Sequence, residues 1–181
     1  MRIRKILVAL DGSEESMEAL GGAIDIAREN GSELFLLCVA RLESFPDSIR
    51  AIAELKLSDL DKNDQRWPNL TGVPLWMSDA MATIRTQGSH QRIIDELASQ
   101  ILSRAKGRAE SAGIGCYELS HDSGDPTTQI LAKCEVLGID LVVLAPHHKA
   151  SDGSPDDSVT SDVVRKSPCS CLVYKSRPDA T

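Results

Sequence analysis

The chain has 181 residues, of which 41% are hydrophobic and 26% are charged. This composition excludes a disordered chain, and the length suits one globular domain with room for an insertion. Lys and Arg total 20 against 27 Asp and Glu, which gives a net charge of −7. That acidic balance argues against a nucleic-acid binder. It still allows a small anionic ligand held by backbone amides.

Targeting signals are not evident in the sequence. The first apolar run, residues 6–10, is too short for the apolar core of a signal peptide, and no stretch approaches the ~20 apolar residues of a membrane span. The five cysteines are dispersed rather than arranged as a disulfide framework. We therefore expect a reduced, cytoplasmic protein without a membrane segment.

The first forty residues have the pattern of a strand, a helix and a second strand. Residues 3–10 form an apolar run that ends before Asp11, as in a strand buried on both faces. Ser13 is a typical N-cap, an apolar stripe with spacings of three and four follows it, and Gly31 provides a helix stop. A second apolar run covers residues 34–40.

The C-terminal half continues this alternation. It predicts, in chain order, a helix over residues 89–112, a weak strand over 115–119, a helix from Pro126 to Gly138, a strand over 140–145, a short helix with Val159 and Val163, and a last strand over 169–174. Strands that alternate with helices predict a doubly wound parallel α/β sheet with helices on both faces. Ligands of such sheets bind at the carboxyl ends of the strands.

Residues 41–90 interrupt the alternation. Both tryptophans of the chain, Trp67 and Trp76, lie in this segment, which follows a strand and so emerges on the ligand side of the predicted sheet. One interpretation is a lid whose tryptophans fill a local mini-core. The other is a cover over a ligand, or a surface on which a protein partner docks.

Three groups of residues together resemble the universal stress protein family. They are Ile-Leu-Val-Ala-Leu-Asp-Gly-Ser at 6–13, Gly-Asp-Pro at 124–126 with the strand at 138–145, and the Ser-Val, Val-Val-Arg and Ser-Pro-Cys steps between 158 and 173. They lie in the order and spacing of that family and cover about residues 2–40 and 89–175.

The resemblance implies a fold, a domain organisation and an assembly. The fold is a five-stranded parallel sheet of order 3-2-1-4-5, in one domain over residues 1–175 with an insertion at 41–90 and a loose tail at 176–181. The family also implies a homodimer that pairs through the C-terminal strand, and an apolar edge strand there would favour such pairing.

Some family members bind ATP through a glycine-rich loop after the fourth strand, and this sequence departs from that loop. The three glycine positions correspond to Ala145, His148 and Asp157. Pro146 has no amide hydrogen to donate, and three aspartates between residues 152 and 157 add negative charge where a triphosphate would lie. We therefore expect a degenerate nucleotide site, no cofactor, and a protein that acts through binding or interaction.

The resemblance implies further candidate ligand contacts. Besides Ala145 and His148 they are Ala9, Asp11, Val39, Ser158 and Val159. Asp11 has two interpretations, as a ligand group for a ribose hydroxyl or a metal-bound water, and as a structural group that caps the first helix. The alternative function is an ATP or AMP sensor, with slow hydrolysis, in which Mg²⁺ turns the loop aspartates into indirect phosphate contacts.

Other chemistry has weaker support in the sequence. His147-His148 and the neighbouring aspartates form either a divalent-metal site or a solvated loop, and adjacent histidines on an extended chain point in opposite directions. Cys169 and Cys171 lie on one face of the last strand, as core residues or as a redox pair. No Gly-x-Ser-x-Gly, Walker or His-Glu-x-x-His motif is present, so no catalytic residues are assigned.

Overall fold

The computed structural model describes residues 2–39, 90–119, 124–146 and 159–175, with side chains from residue 94 onward in the second range. The elements are β1 (Lys5–Leu10), α1 (Glu14–Asn30), β2 (Glu33–Cys38), α2 (His90–Ser111), β3 (Cys116–Leu119), α3 (Pro126–Leu137), β4 (Leu141–Leu144), α4 (Val159–Lys166) and β5 (Ser170–Val173). This order confirms the predicted alternation, and predicted strand ends differ from those observed by at most two residues. The insertion with Trp67 and Trp76, and the tail, lie outside the described residues.

All five strands form one parallel sheet of order β3-β2-β1-β4-β5. The strand order predicted from the family resemblance is therefore confirmed. β1 lies at the centre, paired with β2 on one side and β4 on the other, while β3 and β5 form the two edges. The chain runs outward from β1 in one direction and then returns to run outward from β4 in the other.

The sheet separates two hydrophobic cores, because successive side chains of a strand point to opposite faces. On the first face α1 and α2 pack against Ile6, Val8 and Leu10 of β1. On the second face α3 and α4 pack against Leu7 of β1 and the same-facing residues of β2 and β4. The predicted apolar stripe of α1 is confirmed, since all four of its members are buried: Met17, Leu20, Ile24 and Ala27.

The predicted helix ends are confirmed by their hydrogen bonds. The Ser13 hydroxyl accepts from the Ser16 amide at 3.0 Å, which makes Ser13 the N-cap of α1. Gly31 ends α1 with φ of 65° and Gly138 ends α3 with φ of 62°, left-handed conformations that favour glycine. α3 begins with Pro126 behind the cap residue Asp125, whose carboxylate accepts from the Thr128 amide at 2.8 Å.

The amino-terminal edge of the sheet is closed by contacts between residues distant in sequence. The Asp140 carboxylate accepts from the backbone amides of Arg4 and Lys5 at 2.8 and 3.0 Å. These two hydrogen bonds hold the pKa of Asp140 below its usual value. The Lys5 ammonium donates to the Leu137 carbonyl at 3.0 Å, so the start of β1 and the end of α3 are joined.

Two adjacent glycines of α1 allow other side chains to lie close to the helix. A Cβ atom at Gly22 would overlap the ring of Tyr174, which packs inward on the first face. A Cβ atom at Gly21 would lie 2.8 Å from the guanidinium of Arg108, the far end of a long side chain that donates to the Met17 carbonyl at 2.6 Å. Tyr174 has less freedom, because its backbone amide donates to the Leu144 carbonyl at 2.9 Å.

We therefore expect opposite effects from alanine at these two positions. Gly21→Ala should stabilise the protein by up to ~1 kcal/mol through helix propensity. Gly22→Ala should lower the free energy of unfolding by ~1–3 kcal/mol, because the new methyl group overpacks against Tyr174. This loss exceeds the gain in helix propensity that alanine also brings at this position. At roughly 2–4 °C per kcal/mol for a chain of this size, thermal melting separates the two variants. A Gly22→Ala protein that melts at or above the wild-type temperature would contradict this account.

Candidate functional site

The carboxyl ends of β1 and β4 form the point where the strand order reverses. β1 continues into α1 on the first face, and the chain after β4 leads to α4 on the second face. The connections therefore diverge between the two adjacent central strands, and the carboxyl ends of the strands at such a point are the usual ligand position in this class of fold. The candidate residues predicted around this point follow β1, β2 and β4 or begin α4.

Three of the predicted residues lie on the second face, in one hydrophobic cluster. Val39, directly after β2, is buried, with 7% of its surface exposed. Ala9 and Val159 are partly buried and pack against the same cluster. The structure thus brings together side chains that come from β1, the end of β2 and the first turn of α4. We refer to these three apolar residues at the carboxyl edge as the second-face apolar surface.

Ala145 lies at the same edge but packs against the core of the opposite face. Its carbonyl accepts a hydrogen bond from the Thr160 hydroxyl at 3.1 Å. Sequence reasoning did not identify Thr160, which joins the first turn of α4 to the end of β4. A threonine beside the predicted Val159 was the only local signal. His148 and Ser158, the other two candidates, lie outside the described residues.

Asp11 has a structural role in the observed geometry. Its Oδ1 atom accepts from the Ser13 amide at 2.9 Å and from the Ser13 hydroxyl at 2.6 Å. The same hydroxyl caps α1, so Asp11 orients the capping residue and lies close to the positive end of the helix dipole. Of the two interpretations of Asp11, the structural one is supported by these contacts. An ionised carboxylate has about four acceptor positions, so these two bonds leave capacity for a ligand hydroxyl.

A buried thiol lies near Asp11. Cys38 ends β2 and is fully buried among first-face residues. Burial, with a smaller contribution from the negative charge of Asp11, raises the pKa of Cys38 to about 12. The thiol is therefore neutral at physiological pH and serves as a small apolar core group rather than as a nucleophile.

The described residues offer no other obvious chemistry at this edge. Within residues 2–39, 94–119, 124–146 and 159–175, no group of three or more His, Cys, Asp or Glu side chains is arranged to hold a metal ion. The loop with His147, His148 and the three aspartates lies outside those ranges. None of the helices in the described part of the chain is long and apolar enough to span a membrane.

The family model for universal stress proteins matches residues 2–175. The chain belongs to the universal stress protein family. It is 26% identical over 174 residues to the universal stress protein YxiE of Bacillus subtilis strain 168, an alignment that covers 94% of this chain and 98% of the relative.

Solved structures of family members share the fold. The universal stress protein UspA from Lactobacillus plantarum matches with a TM-score of 0.62 at 18% identity, over 97% of this chain and 99% of that one. A universal stress protein in complex with cAMP matches with a TM-score of 0.61 at 20% identity, over the same shares of the two chains. At these identities the likeness establishes the fold alone.

Substitutions at Asp11 test the structural role of its carboxylate. Asp11→Ala removes both hydrogen bonds to Ser13 and should cost ~1–2 kcal/mol of unfolding free energy, as the loss of a helix cap does. Asp11→Asn keeps an oxygen acceptor at Oδ1 and should therefore lose less unfolding free energy than Asp11→Ala. Urea unfolding measures both. The control is Asp25→Ala, because Asp25 forms an exposed ion pair with Arg28 and its loss should change stability by less than about 0.5 kcal/mol. Equal stability of Asp11→Ala and the control would reject the cap role.

Proposed function

We propose that the protein is a stress-response binding module that holds an adenine mononucleotide, such as AMP or cAMP, at the carboxyl edge between β1 and β4, without turnover. The observation that supports the proposal is that the second-face apolar surface of Ala9, Val39 and Val159 and the carboxylate of Asp11 both lie at the carboxyl edge of the sheet. Apolar side chains with a few converging polar groups are typical of small-molecule sites. A purine base would lie on the apolar surface.

The sugar of such a ligand would be bound by Asp11. The two bonds from Ser13 fix the orientation of the carboxylate before a ligand arrives, which lowers the entropy cost of binding. The acceptor capacity that remains suits a ribose hydroxyl, which donates one hydrogen bond. The structural and ligand interpretations of Asp11 are therefore compatible, because different lone pairs serve the two roles.

Ligands of similar proteins suggest the nucleotide class. Besides the complex with cAMP, similar solved structures include a universal stress protein from Archaeoglobus fulgidus with dAMP and one from Arabidopsis thaliana with AMP bound. Each of these nucleotides carries adenine and a single phosphate group. We carry that class to this chain as part of the proposal.

The loop sequence favours one phosphate over three. Residues 145–148 lack the family glycines, and Asp152, Asp156 and Asp157 add negative charge to the loop. Two unit charges 4 Å apart repel by ~4 kcal/mol at an effective dielectric constant near 20, or about three powers of ten in affinity. A triphosphate extends further along this loop and carries more charge than a monophosphate, so it would be repelled more strongly.

Thermal melting with nucleotides tests this function. With AMP or cAMP at 100 times its dissociation constant, stabilisation is ~2.7 kcal/mol, or a rise of roughly 5–10 °C in the melting temperature. We expect a smaller rise with ATP at equal concentration without Mg²⁺. The double variant Asp156→Asn with Asp157→Asn should reduce the difference between the rise in melting temperature with AMP and the rise with ATP. Asp25→Asn is the charge control, because Asp25 forms only an exposed ion pair with Arg28 on α1, and it should leave this difference unchanged.

Two results would overturn this proposal. If ATP without Mg²⁺ stabilised the protein as much as AMP, the charge argument for the loop would be wrong. If AMP, cAMP and ATP, each with and without Mg²⁺, all failed to stabilise it, the site would be degenerate for every one of these nucleotides. The function would then rest on a protein partner instead.

We also propose that the protein forms a homodimer through β5. This strand lies at one edge of the sheet, and Val173 near its end is 41% exposed. Leu172 and Tyr174 pack against the first-face core, so a charge at either position would damage the fold as well as an interface. Val173 is therefore the better position at which to test pairing.

Val173→Lys should convert a dimer into a folded monomer, because it places a charge at the proposed interface. Sedimentation equilibrium at micromolar concentration measures the mass directly. Val136→Lys is the control, since Val136 is 81% exposed and lies on α3 rather than on β5. A wild-type monomer, or a Val173→Lys protein that remains as dimeric as the control, would count against pairing through β5.

A further inference from the structure

Three of the five cysteines meet on the second face of the sheet. Cys134, in the last turn of α3, is 1% exposed, while Cys169 and Cys171 are partly exposed and pack against the same cluster. Cys134 and Cys169 lie close enough for their thiols to interact, and this interaction adds to the effect of burial in raising the pKa of Cys134. Sequence spacing grouped only Cys169 with Cys171. Cys134 joins them because α3 and the residues around the start of β5 pack into the same second-face cluster.

The surroundings of Cys169 suit a reacting thiol better than those of Cys134. Cys169 is the more exposed of the two. Its sulfur lies 3.3 Å from the Ser167 hydroxyl, and that hydroxyl oxygen also accepts from the Cys169 amide at 3.3 Å. With its oxygen serving as an acceptor, the hydroxyl can turn its hydrogen toward the sulfur. The Ser167 hydroxyl would then donate a hydrogen bond that stabilises negative charge as it develops on the Cys169 sulfur.

We propose that Cys169 is a site of reversible oxidation by peroxides and that Cys134 is the thiol that resolves it. In the first step the Cys169 sulfur attacks a peroxide oxygen, the O–O bond breaks, and a sulfenic acid forms with release of water or an alcohol. In the second step the Cys134 sulfur attacks the Cys169 sulfur, the S–O bond breaks, and a disulfide forms with release of water. Two thiols are oxidised by two electrons and one peroxide is reduced.

Cys134 is better placed for the second step than Cys171. Its thiol lies near enough to that of Cys169 to interact with it in the same cluster, and its backbone is held where the amides of Gly138 and Ile139 donate to its carbonyl. Cys169 and Cys171 lie two positions apart on extended chain, a span of ~6.6 Å that is near the upper limit for a disulfide. The thiol of Cys171 also donates to the Cys169 carbonyl, at 3.7 Å.

Burial explains the division of roles. Burial, with smaller contributions from Cys169 and Cys171, raises the pKa of Cys134 to about 12, so this thiol will not react first with a peroxide from solvent. Because the Cys134 thiol lies near Cys169, it does not have to diffuse to a sulfenic acid formed there. This proximity raises its effective concentration greatly.

Peptide mapping of the oxidised protein tests the proposal. Reduced wild-type protein treated with hydrogen peroxide should lose two of its five thiols and gain one peptide that links Cys134 to Cys169, and dithiothreitol should restore both. Cys134→Ala should instead retain a sulfenic acid on Cys169, which dimedone traps. Because the wild-type map needs no variant, the proposal stays testable even if Cys134→Ala folds poorly.

Cys116→Ala is the matched control. Cys116 is also partly exposed, but it lies on β3 and packs against the other face. Its removal should leave the Cys134–Cys169 link at the wild-type yield. The proposal would be overturned if peroxide consumed no thiol at a concentration that oxidises free cysteine. It would also be overturned if the link joined another pair, or if wild-type Cys169 accumulated as a sulfenic acid without a link.

Discussion

Burial of β1 on both of its faces is the constraint on which the rest of the structure depends. β1 is central, and its side chains alternate between two cores, with Ile6 on the first face and Leu7 on the second. Because both faces of β1 carry apolar side chains, exposure of either face to water would be unfavourable, so helices must cover both. A single apolar strand thereby requires α1 and α2 on one side and α3 and α4 on the other, and it requires the strand order to reverse beside it.

That reversal generates the candidate site, because the connections after β1 and β4 leave in opposite directions. The strand supplies Ala9 to the second-face apolar surface, and the turn after it supplies Asp11, whose carboxylate is fixed by the cap of α1. The same few residues end the central strand, start the first helix and belong to the candidate site. The requirements of folding, as well as those of any ligand, therefore determine which of these residues are apolar and which are polar.

Local and periodic features could be predicted from the sequence. The cap at Ser13, the stop at Gly31 and the buried stripe of α1 depend on residues within a turn or two of one another. The strand order could not be derived in this way and came from the resemblance to a family. The inward packing of Tyr174 on Gly22 was missed, because it joins residues far apart in the chain. The proximity of Cys134 and Cys169 in one cluster was missed for the same reason.

The amino-terminal and carboxyl ends of the strands are held by different kinds of contact. At the amino-terminal edge Asp140 binds the amides of Arg4 and Lys5 across most of the chain length, so a change there would open the pairing of β1 with β4. At the carboxyl edge Asp11 binds Ser13, two residues away, and Thr160 binds Ala145 across a single connection. Loops at the carboxyl edge can therefore change without loosening the sheet. This freedom explains physically how the loop after β4 can depart from the glycine pattern that the resemblance implies while the chain keeps the family fold.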